Sequence, residues 1–190
     1  MSVFNMPYMN QAVASDPLSS WQIRLKGKTY KALIPQTAYF GDHVELSDNR
    51  SDFASSFGIG AVLGTKFTWP KENPFVEEEN LLTPEKETVW KKWFSLYETK
   101  MLSKEKYLGE LYDIGYDIPE THVVRKGDTL HYAFYNPSWS GSVELRGLTE
   151  EKYQVRDYVN DKMIGTVTRD KPTIQVDFAK NLLIEVYPVK

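Results

Sequence analysis

One hundred and ninety residues leave room for one domain or two small ones, and 41% hydrophobic with 26% charged residues exclude a disordered chain. A formal net charge of -3 with both signs interspersed gives no electrostatic case for nucleic acid or an anionic membrane surface as partner. The absence of cysteine rules out disulfides, thiol catalysis and thiolate-bound metal. Aromatic residues, at 14%, are numerous enough to suit either a rich core or the flat face of a sugar. No run reaches the ~18 apolar residues of a spanning helix. The stretch from Met1 to Asn10 lacks the basic region and apolar block of a signal peptide, which leaves the compartment open.

In chain order, Asn5 to Gln11 reads as a loop and Ala12-Val13-Ala14 as a short apolar stretch leading into Ser15-Asp16-Pro17. The simplest role for that triplet is a helix N-cap with proline at the first helical position, although a carboxylate there can also serve chemistry. Trp21 to Leu33 follows as a basic, amphipathic helix carrying Arg24, Lys26, Lys28 and Lys31, weakened by Gly27 by about 1 kcal/mol. Ile34-Pro35-Gln36 ends it, and a β-prone run from Thr37 to Phe40 breaks at Gly41-Asp42-His43. Asp52 is placed to cap a short helical turn over Phe53–Phe57, with Gly58 as its stop. Ile59 to Phe67 is an apolar run with Gly60 and Gly64, the pattern of a strand buried on both faces. Two strands joined by a helix make a (β/α) unit, and in such units reactive groups sit at the carboxyl ends of the strands. Asp42, His43, Lys66 and Trp69 fall there. After a Pro- and Glu-rich loop from Lys71 to Leu82, Thr83-Pro84-Glu85 opens a well-signalled helix. Its Trp90, Phe94, Tyr97 and Met101 share one face, with Trp93 beside it, and that face reads as core.

Composition shifts near residue 105. From Tyr107 onward the chain offers short alternating runs: Val123-Val124, Thr129–Tyr135, Ser142–Arg146, Tyr153–Val159, Met163–Val167, Thr173–Phe178 and Leu182–Tyr187. Turn residues separate them, among them Asn136-Pro137 and Lys180-Asn181, so an antiparallel β-sandwich is expected. The chain therefore divides into an α/β piece, residues 1–104, and an all-β piece, residues 105–190. The first holds at most three (β/α) units where a closed barrel of this kind needs eight. It reads as the C-terminal part of a (β/α)8 barrel followed by the sandwich.

Several segments carry a resemblance. Gly41-Asp42-His43-Val44-Glu45-Leu46, Asp52-Phe53-Ala54-Ser55 and Gly64-Thr65-Lys66-Phe67-Thr68-Trp69-Pro70 resemble the melibiase-type α-galactosidases, glycoside hydrolases of families twenty-seven and thirty-six, in their Bacteroidetes-like branch. Gln11 to Pro17, Val143 to Leu148 and Tyr153 to Asn160 are similar to the same group, in the same order along the chain. The resemblance implies a barrel with a β-sandwich packed after it, and retaining hydrolysis of an α-galactoside or related oligosaccharide by two carboxylates. It implies that Asp16 is the acid/base, since it precedes Trp21 and the next helix as the family's acid does. It departs from several members in carrying Ala12 where they have an arginine. Asp42, His43 and Trp69 are implied as substrate-binding residues, each with a plainer alternative: a loop cap, a structural hydrogen bond, or filling of the barrel rim.

The family's nucleophile stands in a Lys-x-Asp stretch at the end of an apolar strand. Lys126-Gly127-Asp128 has that spacing but belongs to a hairpin turn, so the nucleophile is missing and the chain is expected to be inactive alone. Its partner would then be the N-terminal half of the barrel. Parent enzymes are often periplasmic or secreted. No metal or other cofactor is implied, and His43, His122 and His131 share no metal-ligand spacing. Two other readings stay open: a non-catalytic carbohydrate-binding or structural accessory module, and the remnant of a broken gene.

Overall fold

The computed structural model describes residues 20–41, 53–63 and 83–189. The chain forms two compact units, Met1–Lys104 and Glu105–Lys190.

In the first unit, α1 (Ser20–Leu33) is followed by β1 (Phe40–Gly41), α2 (Phe53–Gly58) and β2 (Val62–Leu63). The two short strands pair in parallel, Phe40 opposite Val62 and Gly41 opposite Leu63. A strand, a helix and a second strand parallel to the first is the unit that the sequence predicts between residues 37 and 67. Every residue of α2 is buried, so it is an internal helix rather than an amphipathic one. The chain leaves α2 through Gly60, whose φ of 65° is the left-handed conformation that glycine adopts without a Cβ clash. The helix itself ends at Gly58, as expected, and the expected cap Asp52 lies outside the described residues.

Gly27 does more than weaken α1. A Cβ at this position would overlap Ile59 Cδ1 and come within 2.9 Å of Tyr39 Cε1, so the missing side chain lets the helix lie directly on the strand region. Tyr39, fully buried, donates its hydroxyl to the Ile23 carbonyl at 2.9 Å, from within the same helix. The basic face expected on α1 is not a solvent face throughout. Arg24 and Lys31 are buried, while Trp21 and Leu33 are exposed.

Helix α3 (Pro84–Lys100) starts as its sequence dictates. Thr83 is the N-cap, its Oγ1 accepting from Lys86 N at 3.4 Å, and Pro84 takes the first position. It ends at Met101, whose φ of 49° closes a left-handed cap with its N–H bonded to the Tyr97 carbonyl. The expected aromatic face is the core face. Trp90, Trp93 and Phe94 surround Phe53 of α2 with ring centroids 6.1–6.3 Å apart, and Trp93 also lies 5.7 Å from Phe57.

The second unit is one antiparallel sheet in the order β3 (Lys106–Tyr107), β4 (Glu120–Lys126), β5 (Thr129–Glu144), β8 (Thr173–Pro188), β6 (Lys152–Asp157), β7 (Lys162–Thr168). Two strands are sixteen residues long, where the sequence suggests four shorter ones. The turn signals Asn136-Pro137 and Lys180-Asn181 do not end strands. They face one another across β5 and β8, where the register slips between Asn136 and Ser138. Pro137 is the extra residue of this bulge. Having no N–H, proline removes no ladder bond there, and Asn136 Oδ1 accepts from Ser138 N at 3.3 Å across the gap.

One inserted residue reverses the side-chain parity of β5. Leu130, Tyr132 and Phe134 face the core before the bulge, and Trp139 and Val143 face it afterwards. Strand β8 keeps its parity, with Val176, Phe178, Ile184 and Val186 all inward. The far arms of β5 and β8 thus form a ribbon that folds back over the sheet, where a Cβ added at Gly165 of β7 would meet Ile174 Cδ1 at 3.4 Å. Both layers fill a single core of fifteen buried residues, which is the sandwich the sequence predicts.

Candidate functional site

The parallel pairing of β1 and β2 sends both strands out at one edge, β1 ending at Gly41 and β2 at Leu63. Asp42 and His43 follow the first strand directly in sequence, and Lys66 and Trp69 follow the second by a few residues. Asp16, Asp42, His43, Lys66 and Trp69 themselves lie outside the described residues.

The scaffold beneath that edge is held by polar groups that periodicity does not reveal. Arg24 of α1 donates from Nη1 to Ser55 Oγ of α2 at 2.7 Å, with both residues buried. A charged donor makes this bond stronger than a neutral pair, and it fixes the helix that links the two strands. Val62 N donates to the Tyr39 carbonyl at 2.7 Å and Ala61 N to the Ser56 carbonyl at 2.9 Å, tying the start of β2 to both neighbours. Burial drives the Lys31 ammonium down to a pKa of about 8, because taking the charged form out of water costs free energy. Burial likewise raises the Tyr39 phenol well above its ordinary value, so it remains a hydrogen-bond donor.

In the second unit, buried polar residues line the sheet face opposite the core. His122 sits between the Tyr107 hydroxyl, 2.7 Å from Nδ1, and Glu120 Oε1, 2.7 Å from Nε2. A carboxylate only accepts, so Nε2 carries a proton, and in the neutral ring Nδ1 accepts from Tyr107. Desolvation, reinforced by Glu120 and Glu110, raises the Tyr107 phenol and keeps it protonated. His131 Nε2 stands 3.7 Å from Glu185 Oε2 on the neighbouring strand, and Arg156 Nη1 approaches the same carboxylate at 3.4 Å while also pairing with Asp161. Each histidine is thus committed to its own carboxylate. Among the described residues no group of three or more His, Asp or Glu is placed to hold a metal ion.

On the core side, three phenols pin the connection from β5 to β6. Tyr112 donates to the Glu144 carbonyl at 2.6 Å and accepts from Arg146 N at 2.8 Å. Tyr132 donates to the Arg146 carbonyl at 2.6 Å, and Tyr153 accepts from Thr149 N and Glu150 N at 2.9 and 2.8 Å. Arg146 closes the set, bonded to Asp117, Glu144 and the Leu111 carbonyl, with its guanidinium 4.7 Å above the Tyr112 ring. These are structural roles. The Lys126-Gly127-Asp128 segment is the β4–β5 hairpin turn, with Gly127 at φ 56°.

No protein-family model matches the chain. An A type blood α-D-galactosamine galactosaminidase of Flavonifractor plautii is 31% identical over 196 aligned positions, which cover 98% of this chain and 16% of that protein. The chain therefore spans about one-sixth of the curated relative it matches. Among solved structures, a GH27 β-L-arabinopyranosidase of Geobacillus stearothermophilus superposes with a TM-score of 0.59 at 12% identity, covering 92% of this chain and 44% of its own. An α-N-acetylgalactosaminidase-type protein of Bacillus halodurans gives 0.57 at 9% identity, covering 95% and 46%. At such identities the superpositions show the fold alone, and they match the second unit to the C-terminal β-sandwich of GH27 enzymes.

Proposed function

We propose, for a chain that belongs with the melibiase-type α-galactosidases and corresponds to their C-terminal part, that it supplies the acid/base half of a retaining glycosidase acting on α-galactosides or α-galactosaminides. The observation that carries this reading is the parallel β1–α2–β2 pair, whose first strand ends at Gly41, immediately before Asp42. The galactosaminidase relative, 31% identical along nearly the whole chain, supports the substrate class. On this reading residues 1–104 are the last part of a (β/α)8 barrel, and residues 105–190 are the sandwich that follows it.

Asp16 protonates the leaving glycosidic oxygen and then, as a carboxylate, takes a proton from the water that releases the sugar. Asp42 and His43 bind sugar hydroxyls, and Trp69 stacks on the ring. The nucleophile comes from the part of the barrel that this chain does not contain, at ~5–5.5 Å from Asp16 across the scissile bond.

The test joins the chain to an upstream half-barrel bearing a Lys-x-Asp stretch. In that protein Asp16→Ala should lower hydrolysis of unactivated galactosides by ~10²–10⁴-fold, the usual contribution of a general acid/base. Aryl substrates with good leaving groups should keep a fast first step, and azide should rescue the second. A loss of about 1 kcal/mol in stability with turnover intact is the result of removing a helix cap. It would transfer the acid role to another carboxylate, Asp42 being the next candidate.

A further inference from the structure

At one end of the second unit, three strands place Thr129, Tyr187 and Gln154 in a row on the sheet face away from the core. Gln154 pairs directly with Tyr187, and Leu130 pairs with Val186, which sets Thr129 beside Tyr187 on the other side. Neighbouring strands lie ~4.7–4.9 Å apart, so the ring is flanked by an amide and a hydroxyl at that spacing. The turn residue Asp128 closes the row. These side chains do not lie on a convex surface. With Pro188 and Val189 they line a hollow of about 540 Å³, which adjoins a second one shared through Asp128, Pro188 and Val189 and bordered by Glu150 and Lys152. The hollow is shallow and open to solvent, so it suits one face of a ligand rather than its enclosure.

Three of the polar side chains of this hollow are uncommitted. Among the described residues, the side chains of Asp128, Thr129 and Gln154 take part in no hydrogen bond or ion pair. The Tyr187 hydroxyl donates to Met163 Sδ at 3.8 Å, a weak acceptor that a ligand oxygen can replace, and it lies within electrostatic range of Arg156. The half-buried phenol ring thus offers a flat apolar surface edged by a carboxylate, an amide and a hydroxyl.

We propose that this groove is a second, non-catalytic binding site for a pyranose, which stacks on the Tyr187 ring while Gln154, Thr129 and Asp128 take its hydroxyls. A pyranose suits these groups because its C–H face is apolar and its rim carries adjacent hydroxyls that act as both donor and acceptor. An amide and a carboxylate meet both roles. A site of this kind holds a glycan near the protein without touching the scissile bond. The choice of a galactoside as first probe rests on the function proposed above; the groove itself does not.

Methyl α-galactoside and methyl α-glucoside, titrated separately into the 190-residue chain, test it through backbone amide NMR shifts. Saturable shifts at Thr129, Gln154 and Tyr187 with either glycoside are expected. Tyr187→Ala should weaken the binding at least tenfold, and Tyr187→Phe, which keeps the ring, should retain it. A thermal melt of both variants checks that the fold is intact. Binding of the glucoside alone would uphold the groove while arguing against a galactoside as its ligand. The proposal is overturned if neither glycoside gives saturable shifts, or if binding persists in a folded Tyr187→Ala variant. The catalytic reading is scored separately: in the joined barrel, Asp16→Ala should leave this binding untouched, and Tyr187→Ala should leave turnover of small aryl glycosides unchanged.

Discussion

Lys31 shows at the scale of one residue what burial does to a charge. Its folded pKa, about 8, lies below the value of 10.5 it has in water. Between those values the unfolded chain binds the proton and the folded one does not, so stability rises with pH through that window. Below about pH 8 the full penalty of the buried ammonium is present, on the order of 3 kcal/mol from the size of the shift. Lys31→Met should therefore raise the melting temperature at pH 7 and flatten the rise between pH 8 and 10.5. Melts of both proteins across that range measure it, and an unchanged slope in the variant would assign the rise to other groups. The burial of Lys31 and Arg24 was not legible in the sequence. Helical periodicity sorts residues by type, and it places a lysine in solvent unless the neighbouring element is known. Gly27 was legible only as a cost to the helix, because the reason for it, Tyr39 and Ile59, comes from another part of the chain. Gly27→Ala, favoured by intrinsic helix propensity, should for that reason destabilise the first unit, by about 1–3 kcal/mol as overpacking does. Chemical denaturation followed by tryptophan fluorescence would show it.

Among the elements, those with strong local signals were readable and those set by pairing were not. The capped start of α3 follows from Thr83, Pro84 and Glu85 alone, and Thr83→Ala should cost about 1 kcal/mol in a denaturant melt. The β5–β8 bend could not be read in this way. Asn-Pro and Lys-Asn are turn signals wherever they stand, and only the facing strand decides whether they make a hairpin or a bulge. One sign was present. The inward apolar positions of β5 run 130, 132, 134 and then 139, 143, a change of parity that requires an inserted residue. Deleting Pro137 should turn Trp139 and Val143 outward and cost several kcal/mol or abolish folding of the second unit, since two core side chains are lost together. Pro137→Ala keeps the residue count and should fold. A circular dichroism melt of the two variants separates the effects; equal stability would show that the bulge does not set the parity.

Over the whole molecule, the proposed chemistry and the larger core lie in different parts of the chain. The second unit holds its own core and three phenols that pin its β5–β6 connection. The described part of the first unit has one parallel pair two residues long. Hydrogen exchange on the 190-residue chain should accordingly give strong protection in β4, β5 and β8 and fast exchange in β1 and β2. The chain alone should not hydrolyse aryl α-galactosides, and turnover abolished by Asp16→Asn would contradict that. Pattern placed Asp42, His43, Lys66 and Trp69 at strand ends, but their roles and that of Asp16 came from resemblance, because a sugar site is made by the meeting of several strand ends, and no single stretch of sequence encodes that meeting.

The continuity of β5 and β8 bears on how the second unit responds to a protease. Its connections from β4 onward, 127–128, 145–151, 158–161 and 169–172, all leave those two strands uncut. A single nick in any of the last three puts β5 and β8 on different fragments, the two long strands still laced through each other's hydrogen bonds. Such a protein should elute at its full mass under native conditions and separate into pieces only in denaturant.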